Sequence, residues 1–144
     1  MIESDTVKLL RECDAGITMG LSALRDVTAY APSGKLCEIL RESEKKHKKL
    51  RDELESALRE CGDSGKRPAA VARAMSSIKT NMKLTFDPAD GASAEVIFDG
   101  CGMGVKSLSR YLNEYKAADE HSKAIARRLI TLEDELAGAM RAYL

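Results

Sequence analysis

The sequence predicts an all-α fold, a bundle of helices in a single domain. The chain has 144 residues, close to the commonest domain size and large enough for one hydrophobic core. Hydrophobic residues make up 44% and charged residues 32%, with 4% aromatic residues and three prolines, a composition typical of helical bundles. Apolar residues recur at steps of three and four along most of the chain, which is the period of a helix. An all-β fold is therefore excluded.

Two apolar stripes predict the first two helices, over about 3–30 and 34–61. A break at Ala31-Pro32-Ser33-Gly34 separates them, and the second stops at Cys61-Gly62, where glycine suits a helix C-terminus. Two long helices joined by so short a turn form an αα-hairpin. The stripes consist of Leu10, Cys13, Ile17, Gly20, Leu24 and Val27, and of Leu40, Ser43, His47, Leu50, Leu54, Ala57 and Cys61.

The second half of the chain predicts a short connecting helix within 67–84 and two long helices over about 90–114 and 117–143. The expected turn near 113–118 contains neither glycine nor proline, so periodicity alone also allows one continuous helix from about 94 to 143. The two stripes are Ile97, Cys101, Gly104, Leu108, Tyr111 and Tyr115, and Ile125, Leu129, Leu132, Leu136, Ala139 and Tyr143.

An internal repeat favours the turn over the continuous helix. The segment GITMGLSAL at 16–24 is similar to GCGMGVKSL at 100–108, and LRDELESALR at 50–59 is similar to LEDELAGAMR at 132–141. The offsets of 84 and 82 residues are nearly equal, so the sequence predicts two copies of one helical hairpin. The predicted organisation is one domain over 1–144, with hairpin 1 over about 3–61, a crossover over 62–89 and hairpin 2 over about 90–143.

Two hairpins linked by a long crossover are the topology of ferritin-like four-helix bundles. Over nearly its whole length the chain resembles bacterial ferritin-like bundle proteins that are classed as domains of unknown function. The resemblance implies a fold and a superfamily but no activity. It rests on Met19-Gly20, Glu44-Lys45-Lys46-His47, Met103-Gly104 and Leu132-x-Asp134-Glu135-Leu136.

The metal ligands of ferritin-like enzymes can be sought directly in the sequence. A di-metal centre needs a Glu from each of two helices and a Glu-x-x-His from each of the other two. Glu44 and His47 have this spacing, but their counterparts at the 82-residue offset are Ala126 and Leu129. Half of the ligand set is therefore missing.

Glycines occupy the two remaining ligand levels. Gly20 and Gly104 are expected level with Glu44, and the nearest candidates for inward acids, Asp14 and Asp99, lie five or six residues away, roughly 8–9 Å along the axis. The sequence therefore predicts no metal site, no cofactor and no catalytic residue.

The histidines and Glu44 are interpreted as structural. Glu44 is expected to be a solvated charge with helix partners, and His47 a histidine at the core boundary with one satisfied nitrogen. Because the repeat places Leu129 at the equivalent position, His47→Leu is predicted to leave stability intact or improved. The alternative is a remnant or mononuclear metal site on Glu44 and His47, with His121 as an extra ligand.

Charge and cysteine content limit the partners and the compartment. Lys+Arg and Asp+Glu each total 23, without the basic excess of a nucleic-acid binder. The acidic N-terminus and the lack of an apolar run of about 18 residues predict a cytoplasmic protein with no membrane partner. The four cysteines, which are Cys13, Cys37, Cys61 and Cys101, form no CxxC pair and are predicted to be free thiols.

Two functions from different classes remain as hypotheses. The first is a non-catalytic ferritin-like helical bundle that acts as a structural or protein-interaction module, with a homo-oligomer or another protein as partner. The alternative is a metal-binding or oxidoreductase-like ferritin relative that uses Glu44 and His47. A third hypothesis, a carrier of a small molecule or lipid, rests only on the gap that paired glycines leave.

The paired glycines also predict a close helix contact. Mid-helix glycine costs about 0.5–1 kcal/mol relative to alanine, so Gly20 and Gly104 require compensation. We expect the first and third long helices to approach closely there, flanked by Met19 and Met103. Alanine at either glycine is then predicted to destabilise the fold by roughly 1–3 kcal/mol.

Overall fold

The computed structural model describes residues 4–30, 33–62 and 90–144. Within these ranges the chain is helical and contains no strand, so the predicted all-α class is confirmed for them. The predicted connecting helix within 67–84 lies outside the described residues. The long helices are α1 (Asp5–Ala29), α2 (Gly34–Glu60), α3 (Asp90–Glu114) and α4 (Glu120–Met140), followed by a short 3-10 helix (Arg141–Tyr143).

The helix ends follow from local capping chemistry. The Ser4 hydroxyl accepts a hydrogen bond from the backbone N–H of Val7 at the start of α1, and the Asp119 carboxylate accepts one from Ser122 at the start of α4. The α2 helix ends before Gly62, whose φ of +72° is the left-handed conformation that glycine adopts at low cost.

The turn between α3 and α4 confirms that the chain does not form one helix through 110–122. It lacks a helix-breaking residue, and the first turn of α1 holds it in place. The Asp5 carboxylate accepts a hydrogen bond from the N–H of Ala117, and the Thr6 hydroxyl accepts one from the N–H of Asp119. A tertiary contact therefore supplies the stop signal that the local sequence lacks.

The core consists of two hydrophobic clusters, one towards each end of the bundle. Core cluster A contains Leu9, Leu10, Cys13, Ile17, Leu21, Leu50, Leu54, Ala57, Leu58, Leu108, Ala118, Ile125, Ala126 and Leu129. Core cluster B contains Ala23, Leu24, Val27, Leu36, Leu40, Ala94, Ile97, Cys101, Leu136 and Met140. The N-terminal halves of α1 and α4 therefore meet the C-terminal halves of α2 and α3, so the helices run up, down, down and up.

The helix directions separate the end of the first hairpin from the start of the second. The end of α2 lies in core cluster A, whereas the backbone N–H of Ser33, just before α2, donates a hydrogen bond to Asp90 at the start of α3. The residues at which α2 ends and α3 begins therefore lie at opposite ends of the bundle. The α1 helix packs on α2, α3 and α4, and α4 packs on α2 and α3.

None of the described helices combines the length and the hydrophobicity that crossing a bilayer requires.

Candidate functional site

A polar layer separates the two hydrophobic clusters at mid-height in the bundle. Each long helix contributes one residue to it, namely Gly20, His47, Gly104 and Glu133, and each of these lies between a residue of cluster A and a residue of cluster B on its own helix. His47 has no exposed surface, and Glu133 is buried as well. Buried ionisable groups are rare unless they are paired, so this layer is the candidate functional site.

Both ring nitrogens of His47 are engaged. Nδ1 lies 2.7 Å from the carbonyl oxygen of Ser43 on the preceding turn, and Nε2 lies 2.8 Å from Oε1 of Glu133 on α4. The expectation of a boundary histidine with one satisfied nitrogen is therefore wrong. Its side chain is fully interior and joins α2 to α4.

The hydrogen bonds determine how many protons the pair holds. A carbonyl oxygen can only accept, so Nδ1 of His47 carries a hydrogen and donates it to Ser43. One proton then lies between Nε2 and the Glu133 carboxyl group, either on an imidazolium or on a neutral carboxylic acid. Both forms have zero net charge, so the pair is much cheaper to bury than either ionised group alone.

Both glycines lie next to this pair, and Gly20 makes room for it. A β-carbon built on Gly20 would lie 3.3 Å from Nε2 of His47 and 3.4 Å from Oε1 of Glu133, which is tighter than an ordinary contact. A β-carbon on Gly104 would lie 3.7 Å from Oε2 of Glu133, an ordinary van der Waals distance. Both glycines thus face the same carboxyl group, at the similar depth that the repeat predicts.

The predicted contact between the glycines is nevertheless corrected. The nearest atoms at Gly20 and Gly104 belong to side chains from α2 and α4, so the glycines accommodate His47 and Glu133 rather than each other. Met103 is 64% exposed and does not flank a buried contact. The physical reason is that the His47–Glu133 pair occupies the space next to Gly20 that a methyl group would fill.

Cys101 adds a thiol to the edge of the layer. Burial raises the pKa of this thiol, and the Glu133 carboxyl group, which also hydrogen-bonds to it, and the Asp134 carboxylate raise it further. The thiol therefore stays protonated at neutral pH and is a poor nucleophile. Both nitrogens of His47 are occupied, so the polar group that faces the thiol is the Glu133 carboxyl group.

Glu44 belongs to the surface of the bundle rather than to the polar layer. Its carboxylate accepts 2.9 Å and 3.4 Å contacts from Lys48 and Arg25, and hydrogen bonds from Lys48 and Arg25 lower its pKa, the former more strongly. The prediction that Glu44 has helix partners is confirmed. His121 is exposed in the first turn of α4, twelve residues and about 18 Å along the helix axis from Glu133.

The residues present do not fit a ferritin-type di-metal centre. Ala126 and Leu129, the counterparts of Glu44 and His47, have no exposed surface and belong to core cluster A. Asp14 is buried, but Asp99 is exposed, so the expectation that Asp99 points inward is wrong. Among residues 4–30, 33–62 and 90–144, no group of three or more His, Cys, Asp or Glu side chains could hold a metal ion.

Glu133 belongs to the site, although the sequence pattern did not predict it there. The 82-residue offset of the repeat equates Glu133 with Arg51, and the predicted apolar stripe of the last helix contains Leu132 rather than Glu133. In the structure Leu132 is only half-buried, whereas Glu133 and Met140 are buried. A signal was present. Steps of four residues from Ile125 place Glu133 on the same apolar helix face as Leu129. An acidic residue on a buried face requires a buried partner.

Comparison with known proteins gives no indication of function. No protein-family model, no curated protein and no solved structure matches the chain. The assignment therefore depends on the contacts of the polar layer and on the surface of the bundle.

The four cysteines form no disulfide, which agrees with the prediction of free thiols. In the folded protein we expect a thiol reagent to modify exposed Cys61 first and half-buried Cys37 more slowly. Cys13 and Cys101 should be protected, because burial raises both thiol pKa values, that of Cys13 to about 12, and little thiolate forms. Mass spectrometry after timed labelling would locate the modified residues.

Labelling in denaturant provides the control, since all four thiols should then react. Modification of only two residues in denaturant would contradict the free-thiol state. Rapid native labelling of Cys101 would contradict its protection in the polar layer.

Proposed function

We propose that the chain is a non-catalytic ferritin-like four-helix bundle that serves as a structural or protein-interaction module. The observation that carries this proposal is the closed pair of His47 and Glu133. The pair lies at mid-height in the bundle, between the two core clusters, and it uses both nitrogens of the histidine. A site with its own hydrogen bonds satisfied stabilises a fold rather than binding a reactant.

The ferritin-like part of the proposal is supported by the helix directions and by the repeat. Two antiparallel hairpins in the order up, down, down and up, joined between opposite ends of the bundle, follow from the core clusters and the bond of Ser33 to Asp90. Ferritin-like folds have one long crossover connection of this kind. The repeated segments at 16–24 and 100–108 lie on α1 and α3, which occupy corresponding positions in the two hairpins.

The alternative function, metal binding through Glu44 and His47, has less support. Glu44 is held by Lys48 and Arg25 on the surface, whereas His47 is held by Ser43 and Glu133 inside. A metal ion bridging Glu44 and His47 would have to break both sets of contacts. It would also have to displace the proton that His47 and Glu133 share.

Metal analysis tests the proposal. Protein purified without an affinity tag is incubated separately with ferrous iron, manganese and zinc, desalted, and analysed for metal by mass spectrometry. We expect far less than one metal ion per chain, and no difference between the parent protein and a His47→Gln variant. A metal content near one or two per chain that His47→Gln abolishes would overturn the non-catalytic assignment.

A further inference from the structure

One face of α3 is exposed to solvent along most of the helix. Between Asp90 and Leu112 six residues are exposed, namely Glu95, Asp99, Gly102, Met103, Lys106 and Arg110. At 3.6 residues per turn they fall within an arc of about 100°, and they span about 22 Å along the axis. We call these six residues the α3 stripe.

The charges of the α3 stripe are segregated. Glu95 and Asp99, four residues apart, form an acidic half, while Lys106 and Arg110, also four residues apart, form a basic half. Like charges at this spacing repel each other on a helix. None of the four side chains forms a salt bridge to another residue in the described part of the chain, so within residues 4–30, 33–62 and 90–144 no ion pair offsets the repulsion in either half.

The order of the charges is self-complementary. If a second α3 helix lies antiparallel to the first, with a two-fold axis between positions 102 and 103, Glu95 faces Arg110 and Asp99 faces Lys106 of the second copy. By symmetry each pairing occurs twice, giving four pairs of opposite charge. A parallel second copy in the same register would instead place like charges together, so the pattern selects one orientation.

The centre of the α3 stripe is apolar and uneven in shape. Met103 is 64% exposed, one of two large hydrophobic side chains in the described residues with such exposure. Its neighbour Gly102 has no atom within 4 Å of the place where a β-carbon would be. In this antiparallel arrangement the two Met103 side chains would lie at the centre of the contact, next to the open backbone surface of Gly102.

We propose that the α3 stripe is the interface of an antiparallel homodimer. The proposal rests on the proposed function, an interaction module, and names the partner as a second copy of this chain. The contact is isologous, as two-fold interfaces are, with a hydrophobic centre and a charged rim. The exposed face of α2 suits a second copy less well, because no large hydrophobic side chain is exposed on that helix.

Sedimentation equilibrium on the intact protein, from micromolar to near-millimolar concentration, tests the dimer. We expect the parent chain to associate to dimers. Asp99→Lys and Lys106→Asp each place like charges opposite each other twice, so each should raise the dimer Kd at least about tenfold. The control Glu42→Lys, an exposed position on α2, changes the net charge as much as Asp99→Lys and should leave the Kd unchanged.

Two recombinations test the register itself. The double variant Asp99→Lys/Lys106→Asp exchanges the charges within each pair and should restore the parent Kd. An equimolar mixture of the two single variants should form a mixed dimer more tightly than either variant associates alone. Circular dichroism verifies that each variant is folded, which is expected because all these side chains are exposed.

The outcomes separate the two proposals. A parent chain that stays monomeric throughout, or dimerises equally well with Asp99→Lys, overturns the α3 interface whatever its metal content. Single variants that lose association without rescue by exchange or mixing overturn the antiparallel register. Stoichiometric metal that depends on His47 overturns the proposed function and leaves the sedimentation result standing.

Discussion

His47→Leu is expected to destabilise the protein by about 3–5 kcal/mol, the cost of removing one partner from a buried pair. The leucine leaves the Glu133 carboxyl group buried without the proton donor or acceptor that it now meets at 2.8 Å. This reverses the expectation drawn from the repeat. A loss of this size should lower the thermal midpoint by about 10 °C or more, and urea unfolding followed by circular dichroism would measure the free energy.

Two further variants identify the cause of that loss. In Glu133→Gln the side-chain amide can still donate to Nε2 of His47, so the expected loss is only about 1 kcal/mol, the net value of a hydrogen bond. The double variant His47→Leu/Glu133→Leu removes both polar groups and should recover most of the stability, because apolar replacement of a complete buried pair is often neutral. If His47→Leu alone is as stable as the parent, the pair contributes no net stability.

Gly20→Ala and Gly104→Ala are expected to differ in sign. Alanine at position 20 must displace His47, which two hydrogen bonds hold in place, so the crowding should outweigh the gain in helix propensity and cost roughly 1–3 kcal/mol. Alanine at position 104 meets Glu133 only at ordinary contact distance. It should therefore stabilise the protein by about 0.5–1 kcal/mol, the propensity difference.

Gly100→Ala serves as the matched control, because nothing lies within 4 Å of its β-carbon position. Guanidinium unfolding of the three variants should rank Gly104→Ala and Gly100→Ala above the parent and Gly20→Ala below it. Equal gains at positions 20 and 104 would mean that His47 can shift at little cost. Losses at both would return the explanation to a close approach of the α1 and α3 backbones.

Much of the fold could be predicted from the sequence, because helix formation depends mainly on residues that are close together in the chain. Apolar steps of three and four, the Ser4 cap and the left-handed Gly62 are short-range features, and the helices begin and end within a few residues of the predicted bounds. The turn at 115–119 was placed through the repeat. The contacts that stabilise it come from Asp5 and Thr6, more than a hundred residues away in the chain.

The sequence predicted part of the candidate site but not all of it. The position of His47 on an apolar stripe and the missing ligands at Ala126 and Leu129 could be derived from spacing alone. The partner of His47 could not be derived in this way, because the repeat equates position 47 with 129 whereas the fold joins it to Glu133. Which residues meet across a bundle depends on the axial shift and rotation between helices.

By itself the sequence determined that the described residues are helical and where the long helices lie, and it predicted that a ferritin-type di-metal ligand set is incomplete. The tertiary structure decided that the mid-level of the bundle holds a neutral hydrogen-bonded pair and that Gly20 makes room for it. The physical reason is the distance along the chain over which each interaction acts. Periodicity and capping act within a few residues, whereas the axial shift between α2 and α4 is set by the packing of both core clusters at once.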